Sequence, residues 1–447
     1  MQLSPTQNVR CFLTFTLAAM FSPSLSGVWA DQPNIVFIIS DDQGWNDIGY
    51  HNEKIKTPHL DRLAARGTKL SQHYVYPTCS PTRAAFIAGR YPSRFGILAP
   101  LADAKKLPTD QTLPKSLADA GYSTHISGKW HIGTVPEARP LQYSFHTSYG
   151  YLRGQIDPYN HLYKTGKQTW HRNDELFSEE GHATDLITNE AVRVIEESAD
   201  NPKPFFLYVA YSVPHYPLKE PEEWLAMYSE DTFNDPWRRL FAASVTHMDD
   251  GIGQIADAVR ESGQQAETLI VFVSDNGGQK NWSAPKSQYD GRYANHKTLG
   301  NNEPLRGWKT DLYDGGIRVP AFAVWPNHIP AGKTLDAPTH IVDWFPTFLA
   351  VADTQPETNA TFDGQNIWPL LSNADNSKAN PRTFYWRTPN EMALRVGDWK
   401  LITNRDATRK QLFNLADDPH EKTDLASQQT DRLQTMLRQL RKQRAAE

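Results

Sequence analysis

An α/β fold with a large, mostly parallel sheet flanked by helices is what the sequence predicts, on three observations. Residues 34–39, 204–210 and 268–273 are short runs rich in β-branched and aromatic side chains, apolar after their first residue or throughout, as strands buried on both faces are. Between them, 185–197 and 240–261 carry helical periodicity; in the second, Met248, Ile252, Ile255 and Val259 share one face. Strands alternating with helices in this way make a parallel sheet with crossover helices. Such sheets bind ligands at the carboxyl ends of their strands, so the polar residues just after each run carry the functional information.

Bulk properties narrow the class. The chain has 447 residues, 39% hydrophobic and 22% charged, enough for a large core and unlike a disordered protein. A net charge of -5 excludes a global basic footprint for nucleic acid, so an anionic substrate must be met by a local cluster of cations. Arg10 precedes an apolar run at 11–21, and small and polar residues follow as far as Val28-Trp29-Ala30. Residues 1–30 therefore read as a signal peptide cleaved near Ala30, which predicts a secreted or periplasmic protein. The run falls short of the roughly 20 apolar residues of a membrane span, and no cysteine marks a lipid anchor, so no membrane anchor is expected. Of the two cysteines, Cys11 leaves with the signal and Cys79 remains. A lone thiol in an oxidising compartment forms no internal disulfide and calls for another purpose.

Domain organisation follows from the same pass. Residues 31–371 read as a catalytic domain. The chain turns polar around 364–378, after which 395–402 and 411–415 look like antiparallel strands. A basic amphipathic helix at 431–444, with Leu433, Leu437 and Leu440 inward, completes an α+β subdomain over 372–447. Its Arg438, Arg441, Lys442 and Arg444 read as a solvated face.

Chemistry concentrates at the strand ends. The first run leads into Asp41-Asp42, and the run at 268–273 leads into Asp275-Asn276-Gly277-Gly278. Adjacent carboxylates stay ionised cheaply only with a cation between them, and an all-oxygen Asp, Asp, Asp, Asn set suits calcium or magnesium rather than zinc. Cys79-Ser80-Pro81-Thr82-Arg83 opens a helix, with Pro81 in its first turn and Arg83 one turn on. A helix N-terminus favours an anion developing at Cys79.

Cys79-x-Pro81-x-Arg83, followed by Ala84 and then Gly89-Arg90, resembles the signature of the type I, formylglycine-dependent sulfatases. Gly128-Lys129-Trp130-His131, Pro214-His215, Asp275-Asn276-Gly277-Gly278, Leu305-Arg306-Gly307-Trp308-Lys309 and the segment 412–422 are similar to further family motifs, in the family's order. Only Ile87-Ala88-Gly89 departs, where Leu-Thr-Gly is commoner. The resemblance implies an alkaline-phosphatase-like sulfatase fold and oxidation of Cys79 to formylglycine (3-oxoalanine) by a maturation enzyme. It also implies a calcium ion, with magnesium the alternative, held by Asp41, Asp42, Asp275, Asn276 and the modified Cys79. Arg83 would hold the nucleophile, Lys129 and His131 would contact it and the sulfate, and His215 and Lys309 would bracket the leaving group.

Gly150-Tyr151-Leu152-Arg153-Gly154 and Asp157-Pro158-Tyr159-Asn160-His161 resemble the N-acetylgalactosamine-4-sulfatase (arylsulfatase B) branch. That points to a sulfated polysaccharide or glycosaminoglycan carrying 4-O-sulfated galactose or N-acetylgalactosamine. His161, Trp170 and His182, with His171 and the polar stretch 279–303, are candidate sugar-binding residues; Trp170 fits core packing equally well. His125, His247 and His340 read as structural. Two rival readings are a phosphoester or phosphonate hydrolase of the same superfamily and an inactive polysaccharide-binding protein. The Lys-Trp-His and Arg-Gly-Trp-Lys segments favour sulfate over the first, and the intact set of ligands and cations counts against the second.

Overall fold

The computed structural model describes residues 1–2, 32–101, 107–293, 295–355, 360–373 and 381–447. The expected signal peptide lies outside these, apart from its first two residues. Five parallel strands make the middle of the main sheet: β1 (Asn34–Ser40), β2 (Ser123–Lys129), β3 (Thr147–Tyr151), β4 (Phe205–Ala210) and β5 (Thr268–Ser274), in the spatial order β5-β1-β4-β2-β3. An antiparallel neighbour of β5, β6 (Ala321–Val324), and short strands at both edges extend it to ten strands among the described residues.

Alternation along β1 explains why it sits at the centre. Ile35, Phe37 and Ile39 enter the core on one face and Val36 and Ile38 enter the other. Against the first face packs α1 (Cys79–Ala88), all of whose residues are buried; the Phe86 ring stacks on Phe37 at 4.0 Å. Against the second pack α2 (Ala183–Ser198) and α3 (Pro236–Glu261). The last begins one turn before the periodicity suggests, because the Asp235 carboxylate caps it by accepting from the Trp237 N–H (2.8 Å) and Pro236 suits the first helical position. Among the described residues no helix is long and apolar enough to cross a membrane.

The C-terminal subdomain is a four-stranded antiparallel sheet, β7 (Thr383–Arg387), β8 (Glu391–Val396), β9 (Trp399–Asn404) and β10 (Lys410–Asn414), covered by α4 (Thr430–Ala445) through Leu433, Met436, Leu437 and Leu440. Segment 395–402 is a hairpin rather than one strand. Val396 pairs with Trp399 across a two-residue loop, and Gly397 takes the left-handed conformation (φ 57°) that turns the chain. Phe384, Trp386, Leu394 and Leu401 join the same core as α1. A buried ion cluster fixes the seat: Lys400 Nζ lies 2.7 Å from both Asp314 Oδ1 and Glu421 Oε1.

One polar tie crosses the other face. His247 on α3 bonds Glu220 through Nδ1 (2.7 Å) and Asp185 on α2 through Nε2 (2.8 Å), joining two helices to the 211–221 segment that leaves β4. Burial opposes its charge, yet the two carboxylates win and lift the ring to about 9 from an ordinary 6.5. A raised folded-state value means stability that is complete below the unfolded value and lost as pH climbs through the folded one. The melting temperature should therefore decline between pH 6.5 and about 9 in the native protein and stay flatter in His247→Gln. Parallel curves for the two proteins would show that His247 is not charged there.

Candidate active site

Register brings the two acidic strand ends together. β1 and β5 run parallel with Ser40 opposite Ser274, so Asp41 and Asp42 emerge beside Asp275 and Asn276. The Asp275 N–H donates to the Ser40 carbonyl (3.0 Å), and the Asp42 N–H to Asp275 Oδ1 (3.2 Å). To make that turn Asp42 adopts a left-handed backbone (φ 68°), which costs an aspartate about 1 kcal/mol or more. Asn276 Nδ2 donates to Asp42 Oδ1 (2.8 Å), and all four side chains are buried.

Three cations answer these carboxylates. Lys129, the last residue of β2, donates from Nζ to Asp41 Oδ2 (2.5 Å). Arg83 of α1 donates from Nε (3.1 Å) and Nη2 (2.8 Å) to Asp275 Oδ2, and from Nη1 to the Lys129 carbonyl (3.1 Å). Lys309 Nζ lies 2.6 and 2.7 Å from the two Asp42 oxygens. His215 Nε2 is 3.7 Å from Asp42 Oδ2, while its Nδ1 is 2.5 Å from the Tyr216 carbonyl.

Cys79 stands at the first position of α1, its Sγ 3.1 Å from His131 Nδ1. Trp130, between Lys129 and His131, turns into the core and donates to the Ala138 carbonyl (2.7 Å), and His131 beyond the strand end takes a left-handed backbone (φ 56°). Two glycines make room. A Cβ on Gly128 (φ 115°) would lie 1.9 Å from the Ala210 carbonyl oxygen, and one on Gly154 would lie 2.5 Å from the His131 ring.

The electrostatics are out of balance in an informative way. Burial, and then the charge of Asp275, push Asp41 well above the usual carboxylate range. Burial acts on Asp42 too, but Lys309 and His215 hold it down at about 2. Burial raises the Cys79 thiol and, with the neighbouring ammonium groups, keeps His131 and His215 well below the ordinary imidazole value. Asp41 Oδ1 and Asn276 Oδ1 are buried without a hydrogen-bond partner. An orphaned buried carboxylate oxygen is costly, and a carboxylate and an amide oxygen left without partners at adjacent strand ends suit a hard divalent cation. Ligand atoms of Asp41, Cys79 and Asp275 lie within 4.8 Å of one another, as do those of Asp41, Asp42 and His215. The donor set thus fits the expected metal.

A cavity of about 680 Å³ opens onto Cys79, His131, His215 and Lys309. Gln155, Tyr163, Lys164, Tyr216 and Trp308 also line it, and sequence reading missed them. Tyr216 and Trp308 could have been found as immediate neighbours of His215 and Lys309. Tyr163 and Lys164 carry no motif. From the stretch 279–303, Gln279, Lys280 and Asn281 reach the cavity.

The structure does not bring His161, Trp170 or His182 to this cavity. The His161 ring stacks on Trp170 at 4.3 Å, with Nε2 3.2 Å from the Gly181 carbonyl. Trp170 is 1% exposed and donates its indole N–H to Glu179 Oε2 (3.2 Å). His182 caps α2, accepting from the Thr184 N–H (3.2 Å), and His171 is buried against Ser148 Oγ (2.6 Å). These side chains fill the layer between the sheet edge and α2, so packing accounts for them.

Comparisons with known proteins agree with this geometry. The family described as Sulfatase matches residues 33–354, and the family described as N-sulphoglucosamine sulphohydrolase, C-terminal, matches 307–446. Arylsulfatase J of Mus musculus is 32% identical over 94% of this chain and 77% of its own length. N-acetylgalactosamine-6-sulfatase of Homo sapiens is 31% identical over 82% of this chain and 71% of its own. The crystal structure of Ps i-CgsB in complex with k-i-k-neocarrahexaose superposes with a TM-score of 0.81 at 33% identity, over 92% of each chain.

If the orphaned oxygens are a cation site, calcium should stabilise the chelator-stripped protein, by about 2.7 kcal/mol at a hundred times its dissociation constant. Asp275→Ala and Asp41→Ala should abolish the response. A melting temperature indifferent to calcium and magnesium in the native protein would contradict the assignment.

Proposed function

We infer that this chain, which belongs to the sulfatase family and is a sulfuric ester hydrolase, removes sulfate from a sulfated polysaccharide or glycosaminoglycan, with 4-O-sulfated galactose or N-acetylgalactosamine the preferred target. The observation that carries the reading is Cys79 at the N-terminus of α1, 3.1 Å from His131 and opening on a cavity that also presents His215 and Lys309. Relatives named for N-acetylgalactosamine sulfate, and the solved oligosaccharide complex, support a carbohydrate ester. The preference for the 4-position rests on the resemblance of 150–161 to that branch. Residues 31–371 form the catalytic domain and 372–447 the C-terminal subdomain of a protein secreted or periplasmic after cleavage near Ala30.

Burial pushes the Cys79 thiol up, and a protonated thiol is a poor nucleophile, which supports formylglycine, made by a maturation enzyme, rather than the thiol itself as the attacking group. As hydrated formylglycine, residue 79 supplies one hydroxyl to attack sulfur and a second whose deprotonation expels sulfate and restores the aldehyde. Asp41, Asp42, Asp275, Asn276 and residue 79 would hold calcium, or magnesium, which would supply positive charge for the sulfuryl oxygens.

The remaining work falls to the chain's own side chains. Arg83 fixes Asp275 and, with Lys129 and Lys309, neutralises an ester that is already anionic. His131 Nδ1, beside the residue 79 side chain, takes the proton that releases sulfate. His215 is neutral while only ammonium groups and Asp42 surround it; an anionic ester raises its proton affinity, and Nε2 delivers a proton to the departing sugar oxygen.

Cys79→Ala, co-expressed with a maturation enzyme, should fold and lose turnover, while the active native protein should show the mass of an aldehyde or its hydrate at residue 79. Activity from an unmodified thiol would overturn the mechanism. His215→Ala should lower sulfated-sugar hydrolysis by about 10²- to 10⁴-fold and aryl sulfate hydrolysis far less, because a phenol leaves without a proton. Equal losses on both esters would make His215 a sulfate-positioning group. Turnover of the matching phosphate ester at the sulfate ester's rate would defeat the sulfatase assignment.

A further inference from the structure

In the sulfatase reading above, His131 takes the proton that releases sulfate, yet its backbone lies in the left-handed region (φ 56°), where a side chain sits only at a cost. Such a conformation persists where the surrounding structure over-determines it. Two hydrogen bonds do so here. The His131 N–H donates to the Leu152 carbonyl (3.1 Å), and the His131 carbonyl accepts from Ser80 Oγ (2.8 Å). The ring that results lies against Gly154, where a Cβ would stand 2.5 Å from it, and its Nδ1 comes to 3.1 Å from Cys79 Sγ.

Ser80 is an uncommon partner for that carbonyl. It sits fully buried in the first turn of α1, next to Cys79. A serine there ordinarily bonds the backbone of its own helix. This one turns away from it: the hydroxyl donates to His131 and accepts from the Leu101 N–H (2.9 Å), and Leu101 lines the cavity. One hydroxyl thus joins the helix that carries the nucleophile to the residue that serves it. Without that hydroxyl the His131 carbonyl is free to turn, its backbone can relax, and the ring swings off residue 79. A displacement of about 1 Å at a reacting group can cost about 10²-fold in rate.

We propose that Ser80 is a positioning residue for sulfate release: its hydroxyl holds the His131 backbone in the conformation that aims Nδ1 at residue 79. The proposal rests on the formylglycine reading above and adds to it the group that keeps the base in place. In the step concerned, the free hydroxyl on residue 79 gives its proton to Nδ1, and the electron pair of that O–H bond closes the C=O bond of the aldehyde. The bond from the same carbon to the sulfate oxygen breaks, and sulfate leaves with its electron pair. The earlier attack on sulfur, with His215 as proton donor, does not pass through Ser80.

The test compares the native enzyme with Ser80→Ala and Ser80→Thr, each co-expressed with a maturation enzyme. Rates are taken per formylglycine, counted by intact mass, because Ser80 lies inside the Cys79-x-Pro81-x-Arg83 segment. On an aryl sulfate, Ser80→Ala should release one equivalent of phenol in a burst and then turn over about 10²-fold more slowly than native. kcat and KM should fall together and leave kcat/KM within about twofold, and quenched enzyme should carry the mass of a sulfate ester at residue 79. Ser80→Thr, which keeps the hydroxyl, should behave as native. In a His131→Ala background, Ser80→Ala should change kcat by less than about twofold. A fall in kcat at unchanged KM without a burst, a Ser80→Thr enzyme as slow as Ser80→Ala, or losses that multiply in the double variant would overturn the proposal while the sulfatase reading stands. An unmodified thiol at residue 79 in active native enzyme would remove both.

Discussion

Three buried carboxylates converge where β1 and β5 end, and the rest of the structure answers to their charge. Asp41, Asp42 and Asp275 are at most 1% exposed. Each meets one buried or nearly buried cation: Lys129, Lys309 and Arg83 in turn. Three negative and three positive charges leave the centre neutral. Neutrality satisfies the fold but would give an anionic ester little reason to enter. A divalent ion at the unpaired oxygens of Asp41 and Asn276 would tip the balance to an excess of positive charge. Paired ions hold the site in shape, and such an ion would make it attractive to sulfate.

The fold supplies that arrangement through few devices. Parallel pairing of β1 with β5 sets two acidic turns side by side, and β2, one strand beyond β4, carries Lys129 to them. α1 delivers both Cys79 and Arg83 from one face of the sheet, anchored by Phe86 stacked on Phe37. The C-terminal sheet is more than a cover. Its Lys400 bridges Asp314 and Glu421 in the core, and the loop between β7 and β8 reaches the vicinity of Thr310.

Much of this was legible in the sequence because it is local. Acidic residues directly after an apolar run and a proline in a first helical turn carry their geometry with them, whereas the left-handed backbone of His131 (φ 56°) leaves no sign in its sequence. Less could be read where the decision is tertiary. His161, Trp170 and His182 form an aromatic and polar mixture that suits a sugar site or a packed layer equally, and only the stacking of His161 on Trp170 chooses the second. Gly397-Asp398 turns a hairpin inside a run read as one strand; the apolar phase shifts there, from Leu394 and Val396 to Trp399 and Leu401. The start of α3 moved to Pro236 because capping by Asp235 outweighs the absence of apolar periodicity in the first turn. Tyr163 and Lys164 reach the cavity from a loop that carries no pattern at all.

The claim on which the others depend is that a divalent cation completes the carboxylate cluster. Anomalous difference density from crystals of the native chain grown in calcium measures this directly. A single strong peak bonded to Asp41 Oδ1 and Asn276 Oδ1, with Lys129 and Lys309 still paired to their aspartates, is the expected result. No peak there, with both oxygens hydrogen-bonded to water or to a shifted lysine, would contradict the account.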